Sequence, residues 1–187
     1  TFGDSIVIDD IFLSSPDLAL VGSALLKKDE TFSFNFENLA FKDVFDLKLS
    51  IKNDGALEIT GGQLNLQKFL KLPIAKNSSE KSVPISIYLD ELKLYEKQGI
   101  TRFSANIDPT GKGEFSGSLN DLASFGGKLE KLKGGYGVIA SSKNAGSFIR
   151  ALGAAKAADG GTAQLNLRHS DTSPGMQGNL KFKNIRL

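Results

Sequence analysis

The sequence predicts a mainly β fold: a long curved antiparallel sheet, laid out as a meander, that forms an open apolar groove and carries one or two short helices. Three observations carry this. Apolar residues recur with period two through most of the chain, and successive strand side chains point to opposite faces, so each run has an apolar face and a polar face. Short polar turns separate the runs, at Asn53-Asp54-Gly55, Glu96-Lys97-Gln98-Gly99 and Asp108-Pro109-Thr110-Gly111, and short turns join antiparallel neighbours. Glycine recurs inside the runs at Gly22, Gly61-Gly62, Gly117 and Gly178, where it marks a bulge, a bend or a close approach, and so a strongly curved sheet. The spacing of those sites is too uneven for a regular solenoid.

Taken in order, Phe32, Phe34 and Phe36 alternate with Ser33 and Asn35, and Leu47, Leu49 and Ile51 with Lys48 and Ser50. The run 64–70 fits a short helical turn that Pro73 ends. The polar stretch 76–82 is a flexible break, beyond which the strand pattern resumes unchanged; the whole of 1–187 is otherwise read as a single unit. Ile85, Ile87 and Leu89 alternate, and Leu92 and Leu94 follow them. Phe103, Ala105 and Ile107 come next. A helix over about 143–152 follows Ser141-Ser142, either of which suits its N-cap. In it Ala145, Phe148, Ile149 and Leu152 form one narrow apolar stripe, with Gly153 as the stop. The stripe is expected to bury Phe148, Ile149 and Leu152 against the open end of the sheet. Leu165 with Leu167 and Leu180 with Phe182 complete the strands. The run from Leu180 alternates up to Leu187, and the chain opens on Thr1; together these suggest a shortened chain.

A sheet with one apolar face must cover that face. Two short helices cannot cover so many strands. The alternatives are a closed β-sandwich or barrel, or a curled sheet whose inside is filled by something else.

Composition removes much chemistry. The chain has 187 residues, 40% hydrophobic and 24% charged, with no Cys and one His. That is globular rather than disordered. Disulfides, thiolate chemistry and multi-histidine metal sites are excluded, and no run is long enough to cross a bilayer as a helix. Charge is uneven: residues 1–62 carry 5 Lys/Arg and 11 Asp/Glu, net −6, and residues 63–187 carry 18 and 10, net +8. The two halves are expected to pack together and neutralise each other. Nucleic acid is not an expected partner, because the basic residues lack interleaved aromatics and no binding motif is present.

No catalytic constellation survives inspection, and the chain is not expected to be an enzyme. His169 lies between Arg168 and Ser170-Asp171, but adjacent residues do not converge as a triad does; a surface loop histidine is the simpler reading. Asp9-Asp10 and Asp90-Glu91 read as solvated turn residues. The runs Gly126-Gly127, Gly134-Gly135 and Gly160-Gly161 lack the Lys-Ser/Thr or dinucleotide context of a phosphate loop. No metal, nucleotide or other cofactor is expected.

Four stretches resemble the AsmA-like family of Gram-negative envelope proteins, in particular its YhdP-type branch. They are 18–25 (Leu-Ala-Leu-Val-Gly-Ser-Ala-Leu), 57–70, 84–94, and 145–153 followed by 160–165. The last is the most specific, and all are apolar patterns rather than reactive groups. The resemblance implies a relative of bridge-like lipid-transfer proteins, with a β-groove through the periplasm along which phospholipid moves. It implies an inner-membrane anchor N-terminal to this segment, outer-membrane components as further partners, and a part in outer-membrane biogenesis. On that reading Phe32, Phe34, Phe36, Leu47, Leu49, Ile51, Ile85, Ile87, Leu89, Leu92, Leu94, Phe103, Ile107, Leu165, Leu167, Leu180 and Phe182 line the lipid groove, and Phe148, Ile149 and Leu152 cap it. The competing expectation is a closed all-β structural or assembly module of the envelope without lipid cargo.

Overall fold

A computed structural model describes residues 5–28, 32–72, 82–95, 98–170 and 173–186. Within them, twelve strands form one sheet in strict chain order. They are β1 (Ser5–Ser14), β2 (Leu18–Lys27), β3 (Phe32–Phe41), β4 (Phe45–Ile51), β5 (Leu57–Asn65), β6 (Ile85–Tyr95), β7 (Gln98–Ile107), β8 (Gly113–Leu119), β9 (Ala123–Leu132), β10 (Gly135–Ser142), β11 (Thr162–Ser170) and β12 (Ser173–Lys183). The outer strands do not pair with each other, so the sheet is open. The closed sandwich or barrel is therefore not the fold. Two helices accompany the sheet, α1 (Leu66–Phe69) after β5 and α2 (Ala145–Ala151) after β10.

All pairs are antiparallel except β5 with β6, which run parallel from Leu57↔Ile85 to Asn65↔Lys93. This corrects the expectation of antiparallel neighbours throughout. A tight turn forces reversal, whereas the connection 66–84, with α1 in it, is long enough to return the chain to its starting end. The same pairing carries the sheet across the expected break at 76–82, of which residues 76–81 lie outside the described residues. Pro73 lies outside them as well. The α1 turn is capped by Asn65, whose side chain accepts from Lys68 N–H.

Curvature comes from a line of irregularities across the sheet. The register slips at Ile8/Ile11 in β1, Phe36/Leu39 in β3, Asp46/Lys48 beside β5, and Thr101/Ser104 in β7. Each extra residue bends its strand and increases its twist. Asp9-Asp10 is one of these bulges, with Asp10 at φ 56°, and Asp90-Glu91 lies inside β6; neither is the turn the sequence suggested. In β5 both Gly61 (φ 69°) and Gly62 (φ 58°) are left-handed. A Cβ on Gly62 would stand 1.8 Å from the Asp46 carbonyl oxygen, and the Gly62 N–H donates to Asp90 Oδ2 at 2.8 Å.

The helix α2 starts from Asn144, whose side chain accepts from Ser147 N–H at 2.9 Å, rather than from Ser141 or Ser142. Asn144 has the short carbonyl the cap needs, while the Ser142 hydroxyl is engaged with the Ser124 carbonyl. Ala145, Gly146, Ser147 and Ala151 are buried. Phe148 packs on Leu119, Ala123 and Ala151 and meets Phe125 edge to face at 6.3 Å. Ile149 is half-buried and Leu152, the C-cap, is 41% exposed. The buried side of the helix is thus set by its small residues, because the loop at Asp159 passes so close that a Cβ on Gly146 would clash with it. At the other end β12 stops at Lys183. Asn184 takes φ 55° and Arg186 bridges to Asp159, so the alternating pattern from Leu180 does not continue as strand.

Candidate functional site

Paired residues in a sheet share a face, so the registers assemble the apolar side residue by residue. One row runs Ala24–Phe34–Ile51–Leu57 and on through Ile85, Ile107, Gly113, Leu129, Val138 and Leu167 to Gly178. The next runs Phe36–Leu49–Ile59–Ile87–Ala105–Phe115 and on through Gly127, Ala140 and Leu165 to Leu180. Lower on the same face lie Leu47, the pairs Leu89–Phe103 and Leu92–Ile100, and Ala163–Phe182. Phe32 stands two residues before Phe34, and Leu94 two beyond Leu92, on that face. The register therefore brings together every strand residue that sequence reading singled out for a groove. It adds Phe41, Phe45, Ile59, Leu64, Phe115, Phe125, Leu129 and Val138, which the sequence reading missed. Simple alternation around Glu58 and Glu114 marks Ile59 and Phe115; in β9 and β10 small residues interleave and hide the pattern.

Among the described residues no second sheet lies over this face, and α2 packs on it through Phe148 at Leu119, Ala123 and Phe125. Each strand packs against its neighbours in order, and the helices touch only β5, β6, β9 and β11 closely. The accessible surface is 12893 Å², against about 8,700 Å² for a compact chain of this mass. Among the described residues no large side chain is fully buried. Leu47, Leu89 and Leu92 are nonetheless buried, at 8%, 3% and 7%. The helix α1 packs on β5 and β6, and the bulges bend these strands, so both contribute to that burial. Phe32 at 48%, Leu180 at 44% and Phe182 at 36% lie toward the two ends of the sheet and are exposed. The remaining expected lining residues are half-buried. Phe34 and Phe36 stack at 5.9 Å, and Phe32 meets Phe34 edge to face at 5.6 Å.

The opposite face is polar over the middle and later strands, where Ser104 meets Ser116 at 3.2 Å, Asn166 donates to Asn179 at 3.3 Å and Lys128 pairs with Glu114 at 3.3 Å, but carries Val7, Phe12, Val21 and Leu25 in β1 and β2. A hollow of about 730 Å³ is an open dent over β1–β4 whose lining mixes Phe34 and Ile51 with Asp9, Ser33 and Lys52. Among the described residues, no three His, Cys, Asp or Glu side chains gather as a metal site needs, and no helix is long and apolar enough to cross a membrane. His169 is a strand residue of β11, half-buried, with Nδ1 2.9 Å from the Gly175 carbonyl oxygen; a carbonyl only accepts, so Nδ1 carries the proton. Asp171 lies outside the described residues.

Charge is distributed otherwise than expected. Because the strands follow chain order, the acidic and basic halves lie at opposite ends of the sheet. The ion pairs among the described residues are local, and of these only Lys68–Asp43, at 3.4 Å, joins the two halves. The halves do not neutralise each other by packing.

No protein-family model matches the chain, and neither curated proteins nor solved structures offer a match.

Proposed function

We propose that the chain is a segment of a bridge-like lipid-transport protein of the Gram-negative envelope, holding phospholipid acyl chains on its apolar face between inner and outer membrane. In this reading the protein is periplasmic, held by an anchor in the inner membrane and working toward outer-membrane components. The observation that carries it is the continuous apolar face running from strand to strand, which among the described residues is covered only where a short helix packs on it. At about 4.8 Å per strand the rows extend roughly 50 Å, longer than one acyl chain. Each methylene withdrawn from water contributes about 0.8 kcal/mol, so a chain laid on this face is held firmly. The attraction has no direction, and the two long rows carry no hydrogen-bonding side chain to pin a lipid. A lipid therefore shifts along them at little cost.

The test is native mass spectrometry of the purified chain, followed by solvent extraction. Phospholipid recovered near stoichiometric amounts is the expected result. A lipid-free chain that also leaves fluorescent phospholipid unbound would make it a structural module instead.

A further inference from the structure

The apolar rows end in a rim whose two ends differ. At the β1–β3 end the rim continues as Ile6, Leu26 and Phe32, in register with one another and exposed by 64%, 39% and 48%. At the β9–β12 end the equivalent positions, two residues beyond Leu129, Val138 and Leu167, are Lys131, Tyr136 and His169. Lys131 stands directly opposite Tyr136, and Tyr136 opposite His169, so successive Cβ atoms lie about 5 Å apart. Gly111 of the β7–β8 turn abuts both Tyr136 and Lys131. The acid of that turn, Asp108, is occupied by Thr110 and by the Lys112 N–H.

Behind this row, on the opposite side of the sheet, where Leu132, Arg168 and Gln177 alternate with Lys131, His169 and Met176, is a hollow of about 380 Å³ between the β9–β10 turn and the end of the β11–β12 pair. It is lined by Lys133, Arg168 and His169, and by no carboxylate among the described residues. No ion pair of the described residues involves Lys131, Lys133 or Arg168. The surroundings reinforce the sign: residues 135–187 carry seven Lys/Arg and two Asp/Glu, net +5.

We propose that this corner is a seat for the phosphate-bearing, net-anionic headgroup of a phospholipid whose acyl chains lie on the adjoining apolar rows. The inference rests on the lipid-carrier reading and adds a headgroup class and a place to it. Lys131, on the apolar side, and Lys133, in the turn between the two faces, supply charge-assisted donors to phosphate oxygens. Tyr136 has an apolar body for the rows and a hydroxyl for the rim. The rim positions at the β1–β3 end are apolar, and the two lysines beyond them, Lys27 and Lys28, are followed in sequence by Asp29-Glu30 and belong to the acidic half of the chain. An anionic lipid is thus held at one end of the sheet and not at the other.

The experiment measures uptake from phosphatidylglycerol vesicles and from phosphatidylcholine vesicles by the full chain. We expect at least a fivefold preference for phosphatidylglycerol. The double variant Lys131→Glu with Lys133→Glu, both exposed, should bring the ratio below two, with an unchanged circular dichroism spectrum. The matched control Lys27→Glu with Lys28→Glu, at the far end of the sheet, alters net charge equally and should keep the ratio. A ratio near one in the parent, a ratio retained by the double variant, or an equal fall in the control each overturns the seat while leaving the lipid carrier standing. Loss of the preference in 10 mM inorganic phosphate at constant ionic strength assigns the corner to free phosphate and also overturns it. If the parent takes up neither lipid, the carrier reading itself fails, and the seat with it.

Discussion

At the scale of single residues, the line of bulges separates two effects that a glycine can serve. Gly61 and Gly62 are both left-handed, but a Cβ on Gly61 would meet nothing within 4 Å while one on Gly62 would run into the Asp46 backbone. Gly61→Ala should therefore cost only the left-handed penalty, about 1–2 kcal/mol. Gly62→Ala should cost at least about 3 kcal/mol, since backbone must move as well. Urea unfolding of the two variants checks this, and equal losses would mean that the close approach is not a constraint. Asp108 gives a pH marker. The Thr110 hydroxyl, then the Lys112 and Thr110 N–H groups and the Lys112 charge, hold its carboxyl below the ordinary 3.8, against a smaller opposing effect of burial. A lowered folded value means that the turn's contribution is complete at neutral pH and fades only as the pH falls below 3.8. The Asp108 carboxyl carbon followed by NMR should titrate below 3.8, and Thr110→Val should move the midpoint up. The sequence showed that Gly61-Gly62 breaks a strand. It did not show which glycine is irreplaceable, because that depends on Asp46, a residue of the neighbouring strand.

At the scale of elements, alternation identified strands where large and polar residues take turns, as in Phe32–Phe36 and Ile85–Leu89, and the register confirms that those residues share one face. It was silent for β1 and β2, where Val7, Phe12, Val21 and Leu25 put apolar side chains on the polar side too, and for β9 and β10, where Gly126, Gly127 and Ala140 blur the contrast. The parallel β5–β6 pair was illegible for a different reason, since strand direction depends on the path of 66–84 and not on the strands' own pattern. In α2 the periodicity correctly found a helix and Gly153 its stop, and of the apolar stripe Ala145 and Phe148 pack inward, Ile149 is half-buried and Leu152 is exposed. Packing there is decided by clearance under the Asp159 loop, which favours Ala145, Gly146 and Ser147. The consequences are measurable. Phe148→Ala should destabilise by about 2–3 kcal/mol, somewhat under the usual range for a fully buried ring. Asn144→Ala should cost about 1 kcal/mol for the lost cap. Leu152→Ala should stay within about 0.5 kcal/mol. Thermal unfolding of the three variants ranks them, and a Leu152 effect as large as that of Phe148 would restore the stripe.

At the scale of the whole molecule, what matters is whether the apolar face is a core or a surface. A closed sandwich would interdigitate Phe32, Phe34 and Phe36 with a second sheet. Here they have only one another and their neighbours in register, Leu26, Ala24 with Ile51, and Gly22 with Leu49. The difference decides the fate of a charge placed among them. In a closed core Phe34→Glu buries an unpaired carboxylate, a cost of several kcal/mol against a total stability of about 5–15 kcal/mol, and the protein unfolds. On an uncovered sheet the carboxylate reaches water past its neighbours. The variant then loses only part of the ring packing between Phe34 and its stacked partner Phe36. We therefore expect Phe34→Glu to remain a folded β protein by circular dichroism, with a melting transition lowered but still cooperative. If the proposed lipid-carrier function holds, its uptake of phospholipid should fall at least tenfold, because a charge within the row interrupts the surface on which acyl chains would lie. Serine-scale polarity at the edge, as in Phe182→Ser, should weaken uptake far less, since that position borders solvent already. If Phe34→Glu unfolds while the parent is stable and free of lipid, the face is a core closed by a layer not seen here, and the chain carries no lipid on it.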